Sequence, residues 1–325
     1  MSPAAKAGDA RRRVRLAPVG ASVRAAVQTD DGVWLRAIKV KTGTRLPFVF
    51  VVPTMTVLGI LALVPTVDAI NIALQNRELS NPESHYVWLA NFIALFQDAR
   101  FLHAMWVSLI WEILTVSATM IVAIPLAVLL FETVGQRARD ALCVLFIVPV
   151  LLPRVSAAYV WKFAFHPLYG LAAYPLKLAL GRPVDLLSDP HTAMATVAIV
   201  DVWQWGLLFS VIVVKLLETL PRQPLEAARL DYARTWEVYL FIAIPMLRAP
   251  LTGLIFVKMV ESLRAFDLIY VMTRGGPGVA TETLDMYAYS QGFIESGRIS
   301  YASSMAVLMM IVTSIAFTVI WRWAR

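Results

Sequence analysis

Charge is scarce in this chain and cysteine almost absent. Only 16% of the 325 residues are Asp, Glu, Lys or Arg, whereas 59% are hydrophobic, and the mean hydropathy is +0.67. That leaves too little polar surface to cover a water-soluble globule, which places the chain among membrane proteins. The single cysteine, Cys143, falls inside an apolar run, so no intrachain disulfide can form. Catalytic patterns are missing as well: no Gly-Lys-Ser/Thr phosphate cradle, no His-Glu-x-x-His, no Gly-x-Ser-x-Gly and no Cys-x-x-Cys occurs. His85, His103, His166 and His191 lack the spacing of a metal site. No catalytic residue and no metal ligand is assigned, the chain does not read as an enzyme, and energy for uphill work must come from elsewhere.

What charge there is sits unevenly. The net charge is +7, yet ten of the 29 Lys and Arg lie in the first 46 residues, ahead of any apolar run. This basic stretch lacks the apolar core of a signal peptide, and its excess reads as topogenic, holding that end in the cytoplasm near anionic lipid rather than binding nucleic acid. Residues 47–325 form one membrane domain. A hydrocarbon core about 30 Å thick needs about 20 apolar helical residues, and six stretches meet that test: Phe48–Ile70, Met105–Phe131, Ala141–Phe165, Thr192–Leu217, Leu251–Val271 and Tyr301–Trp323. An all-α protein with six transmembrane helices and both termini on one side follows. With the N-terminus inside, the remaining loops carry seven basic residues inside and six outside, so the tail decides the orientation. Pro53, Pro65, Pro125, Pro149 and Pro153 fall within spans and predict bends.

Between the fourth and fifth spans runs PRQPLEAARLDYARTWEVYLFIAIPMLRAP, Pro221 to Pro250. Its first half holds Arg222, Glu226, Arg229, Asp231 and Arg234, which predicts a short helix in water over about 221–240. Pro224 suits a first helical position and Glu226 the first turn; Leu225, Ala228 and Tyr232 form one apolar stripe. From periodicity alone, a polar loop that is merely helical and a helix that docks into a partner's cleft fit equally.

Glu226-Ala227-Ala228, with Asp231, Ala233, Ile244, Pro245 and Leu247, resembles the EAA signature of bacterial ABC importer permeases. Three further stretches resemble the same family: Leu89, Asn91, Phe92, Leu95, Asp98 and Phe101 before the second span; the prolines, Trp161 and Tyr169-Gly170 of the third; and FDLIYVMTRGGPG with a downstream ATET. The last is similar to the carbohydrate (MalF-like) branch. The resemblance implies the type I ABC importer permease fold, with Glu226, Ala227, Ala228, Asp231, Tyr232 and Ala233 as an ATPase-coupling helix. The family usually has Gly where this chain has Tyr232. It also implies a second six-helix permease, two ATP-binding subunits that hold ATP and Mg, an extracytoplasmic solute-binding protein, and the bacterial inner membrane as location. No cofactor is assigned to this chain.

Ionisable groups inside spans are costly and usually face a cavity or a partner. Asp201, Gln204, Trp205 and Leu208 share one face of the fourth span; Lys258, Glu261, Ser262 and Ala265 share one face of the fifth. Carboxylates, an amide, a hydroxyl and an indole suit a polyhydroxylated solute, and by the resemblance these eight are the substrate-path residues. Two other readings stay open: an internal ion-pair set such as Lys258 with Glu261, or a self-sufficient, proton-coupled secondary carrier using Asp201 and Glu261. Carriers often show repeated halves, and none relates residues 48–165 to 192–323. Glu112 is a lone acid without an assigned role.

Overall fold

The computed structural model describes residues 46–81, 83–231 and 234–324. The basic tail, apart from Leu46, lies outside the described residues, and so do Tyr232 and Ala233. In chain order the helices are α1 (Leu46–Ala73), α2 (Ala90–Gln97), α3 (Ala99–Thr133), α4 (Gln136–Leu151), α5 (Arg154–Ala164), α6 (Tyr174–Leu180) and α7 (Ala193–Glu218). They continue with α8 (Arg222–Leu230), α9 (Thr235–Val238), α10 (Ile244–Met246), α11 (Arg248–Ser262), α12 (Phe266–Met272), α13 (Leu284–Tyr289) and α14 (Ile299–Ala324). The chain divides within α1, after Ala62, into two compact units. In the described part of the first, Val51, Met55, Leu58 and Leu61 are exposed. The second holds all the later helices.

Among the described residues four helices are long and apolar enough to cross a membrane: Val51–Ala73, Ala99–Thr133, Ala193–Glu218 and Ile299–Val319. The third and fifth expected spans are not single helices. The third breaks between α4 and α5 with a bend of 95°, and the fifth belongs to a pair, Thr235–Met246 and Arg248–Ser262, bent by 81°. Counting each bent pair as one crossing gives six. The 95° break has a local cause: the pyrrolidine ring of Pro153 disfavours helical backbone at the residue before it, and Leu152 is extended (φ −74°, ψ 132°). The expected Leu251–Val271 helix also stops early, at Ser262, and restarts as α12 after Leu263–Ala265.

The fold is centred on α7 packed against α3. On α3 the buried residues Ala104, Val107, Trp111, Thr115, Thr119, Ala123, Ala127 and Leu130 recur every three or four positions, one helical stripe. Its central members are mostly small, which lets two backbones approach closely. Helix α7 is buried on most of its circumference, from Ala193 to Leu217. Asp98 caps α3 by accepting from the backbone N–H of Arg100 at 2.8 Å and of Phe101 at 3.3 Å. Its other carboxylate oxygen accepts from Tyr287 at 2.5 Å and Tyr301 at 2.7 Å. Burial pushes this carboxyl up, but the two phenols and two amides outweigh it and hold Asp98 below the usual carboxylate range. Next to it, Arg100 bridges Glu282 and Glu295 at 2.7–2.9 Å. This knot joins α3 to α13 and α14.

A candidate translocation path and coupling surface

The path residues expected on α7 and α11 do come together, though mostly with each other. Asp201 is fully buried and accepts from Lys258, itself 0% exposed, and from Arg154 at the start of α5. The ion-pair reading thus holds in kind but not in partner: Lys258 pairs with Asp201 across two helices, not with Glu261 on its own. Glu261 lies half-buried, 3.6 Å from exposed Arg264. Gln204 is buried, and its amide donates to the carbonyls of Pro149 and Leu152 at 3.1 and 3.2 Å. Both carbonyls lie at the break before Pro153, where the regular ladder stops and Pro149 keeps only the Leu152 N–H at 3.3 Å. In lipid such groups must be satisfied from another helix, and α7 supplies the donor.

Ser262 is buried at the end of α11. Its hydroxyl meets Thr115 at 2.6 Å, and its carbonyl accepts from the Trp111 indole at 3.0 Å, so α3 closes the end of α11. Ala265 is buried among Leu268, Ile269 and Phe165. Trp205 and Leu208 are half-buried beside Phe209, and the Lys258 ammonium stands 5.8 Å from the Trp205 ring centre, a cation–π contact. Glu112 faces the same cluster. Its carboxylate is shut away from solvent without a hydrogen bond of normal geometry, and Ser262, Lys258 and Asp201 are its neighbours. Of the eight expected residues, Trp205, Leu208 and Glu261 keep some exposure.

Three participants escaped the sequence reading. Arg154 and Lys162 lie in an apolar stretch, and a basic residue directly after Pro153 was a usable signal. Trp111 gave none, because nothing local marks an indole that will cap a distant carbonyl.

At the α8 end, the helix starts at Arg222 with Pro221 as its cap, two residues earlier than Pro224 suggested, so Glu226 lies past the first turn. Pro224 occupies the third helical position, still among the first four whose N–H has no helical partner. Helix α8 ends at Leu230, and after residues 232–233 the described chain continues as a separate turn, α9, followed by a π-helical turn over Tyr239–Ala243. Leu225 is buried and Ala228 packs beside it against α3, α4 and α7, while Glu226, Ala227 and Asp231 are exposed. Arg229 pairs with Glu132 at the end of α3, which also accepts from the Tyr239 hydroxyl. Beside α8 lies a cleft of about 510 Å³ lined by Arg139, Glu218, Arg222, Glu226 and Arg229 over an apolar floor that includes Phe131.

At the other end, the Gly-Gly-Pro-Gly run forms a closed loop. Gly275 has φ +85°, a conformation that side chains rarely adopt. Thr281 fastens the loop: its N–H donates to the Gly275 carbonyl at 3.0 Å and its hydroxyl to the Gly276 carbonyl at 2.8 Å. The ATET segment thus supplies both the latch, Thr281, and a partner of Arg100, Glu282.

The chain as a whole is similar to known proteins. The chain is 26% identical over 277 residues to the trehalose/maltose transport system permease protein MalF of Thermococcus litoralis, covering 85% of this chain and 92% of that protein. It is 30% identical over 274 residues to the sn-glycerol-3-phosphate transport system permease protein UgpA of Agrobacterium fabrum, covering 83% and 92%. A crystal structure of a bacterial ABC transporter involved in the import of the acidic polysaccharide alginate superposes with a TM-score of 0.74 at 18% identity, covering 86% of this chain and 95% of that one, and so shares its fold. Residues 112–324, more than half of the sequence, match the model of one family, and the chain belongs to it: the binding-protein-dependent transport system inner membrane components.

Proposed function

We propose that this chain is one of two permease subunits that together line the path of an ATP-driven importer for a sugar or related polyhydroxylated solute. The observation that carries the mechanical half of this reading is α8. Its apolar edge, Leu225 and Ala228, is packed on the helices, while Glu226 and Asp231 are left exposed with no partner charge among the described residues. A helix held on one side, with Arg222, Glu226, Arg229 and Asp231 exposed on the other, is a handle. One of two ATP-binding subunits, which carry ATP and Mg, would grip it in a groove, with Tyr232 and Ala233 continuing the contact. Both termini would then be cytoplasmic, and an extracytoplasmic solute-binding protein would deliver solute to the opposite end. The path itself would use the accessible groups of the α7 and α11 faces, Trp205, Leu208 and Glu261. Relatives named for maltose and for glycerol phosphate support the substrate class.

Family membership sets aside the self-sufficient carrier. In the structure Asp201 is ion-paired with Lys258 and Arg154, and Glu261 lies beside Arg264. The chain is a transport component rather than an enzyme.

The decisive experiment is purification and reconstitution. The tagged chain should co-isolate with a second permease and an ATPase, and Glu226→Lys should abolish solute uptake while leaving the assembled chain folded. Isolation of a lone, active chain would end this reading.

A further inference from the structure

We infer that α5 and α12 move as one rigid lever, clipped together by Arg154 and Lys162, and that Arg154 is the joint between this lever and α7. The inference deepens the importer reading, which supplies the two states between which a lever would move.

The third crossing is cut in half by the break at Leu152–Pro153, and the apolar stretch expected as the fifth span is divided into α11 and α12 by the interruption at Leu263–Ala265. The upstream halves are anchored centrally: α4 packs on α7, and α11 on α3 and α7. The downstream halves pack chiefly on each other and more lightly on α7. Ala158, Trp161 and Phe165 of the α5 stretch share one apolar cluster with Ala265, Leu268, Ile269 and Met272, and Val197, Ala198 and Val200 of α7 border it.

Polar contacts tie the same pair at both ends. The Arg154 guanidinium donates through Nη1 to the Arg264 carbonyl at 2.6 Å, just before α12 begins. The Lys162 ammonium donates to the Val271 carbonyl at 2.7 Å, where α12 is about to end. An interrupted helix exposes carbonyls that lipid cannot satisfy, and one neighbouring helix supplies a cationic donor at each end of α12. With Nη2, Arg154 also holds Asp201 on α7. A planar guanidinium can serve both acceptors at once, whereas a point-charged ammonium serves them poorly. Arg154 is therefore a positioning residue, not a solute ligand.

The test uses the whole importer assembled in lipid nanodiscs, with Cys143→Ala so that introduced labels are unique. Spin labels go on exposed sites: Leu145→Cys on α4, Tyr159→Cys on α5 and Asp267→Cys on α12. Between the nucleotide-free and ATP-bound states, the 159–267 distance should stay fixed and the 145–159 distance should shift. Arg154→Met and Arg154→Lys should broaden the 159–267 distribution and lower uptake per ATP hydrolysed. A 159–267 distance that changes as much as 145–159, two distances that both stay fixed while ATP is turned over, or an Arg154→Met variant with an unbroadened distribution would each overturn the lever. Solute-stimulated ATPase activity in the same discs separates the two levels: its absence removes the importer reading and the lever with it, whereas its presence with any of those distance results removes the lever alone.

Discussion

Two clusters of opposite charge, one in the middle of the bundle and one beside α8, use the same chemistry to different ends. In the middle, Asp201 is gripped by Lys258 and Arg154, and none of the three is more than 15% exposed. Beside α8, Glu132 and Arg229 are 23% and 49% exposed. A buried pair has already lost its water, so removing one member strands the other. An exposed pair can exchange its partner for solvent at little cost. The difference teaches where an outside partner can act: the middle set is committed to holding broken helices, and the α8 set is free to be regripped.

The comparison can be broken most forcefully at Asp201. Asp201→Ala should leave Lys258 and Arg154 without a counter-charge and destabilise the chain by about 3–5 kcal/mol, read as a lowered melting temperature in detergent. Asp201→Asn combined with Lys258→Met should recover most of that loss. An unchanged melting point in the single variant would mean the middle cluster is not committed to the fold. Next comes Glu226→Lys, for which uptake should fall roughly tenfold or more, in line with coupling free energies of about 1–3 kcal/mol, with no change in melting temperature. A parallel drop in both would place Glu226 in the fold rather than at a contact.

Smaller effects sharpen the same contrast. Arg229→Met should cost at most about 1 kcal/mol, and less as salt is raised; a loss as large as that at Asp201 would erase the distinction between the clusters. The smallest is a pH effect at the far end. Asp98 is held below its ordinary value by Tyr287, Tyr301 and two amides, and Glu295 is held down chiefly by the hydrogen bond from Arg100. Their stabilisation is complete above about pH 4, where unfolded carboxyls ionise, and is lost as the pH falls through the lower folded values. Melting temperature should therefore drop only below about pH 4, and Asp98→Asn, which can still cap α3, should flatten that drop.

Much of this was written in the chain. Long apolar runs give the four unbroken crossings, and Pro153 announces the bend in the third. The stop at Leu263–Ala265 was not legible, because Glu-Ser-Leu-Arg-Ala-Phe contains neither proline nor glycine; its carbonyls are held by Trp111 and Arg154 from other helices. Likewise the partner of Lys258 could not be read from spacing. Sequence shows only neighbours on the same helix, so it offered Glu261 three positions away, while packing of α7 on α11 delivered Asp201. The start of α8 was missed because Pro224 drew attention from Pro221, and both prolines are compatible with a helix beginning.

Helix α3 runs for 35 residues, about 52 Å at 1.5 Å per residue, against a hydrocarbon layer of about 30 Å. Some 20 Å of it must project beyond the oil, so Arg100 and Glu132, near its two tips, are in reach of headgroups or water on opposite faces. One helix thus spans from the Asp98 knot to the socket of Arg229, its backbone ladder lacking a donor at Pro125, and whatever tilts one tip has a single strut through which to be felt at the other.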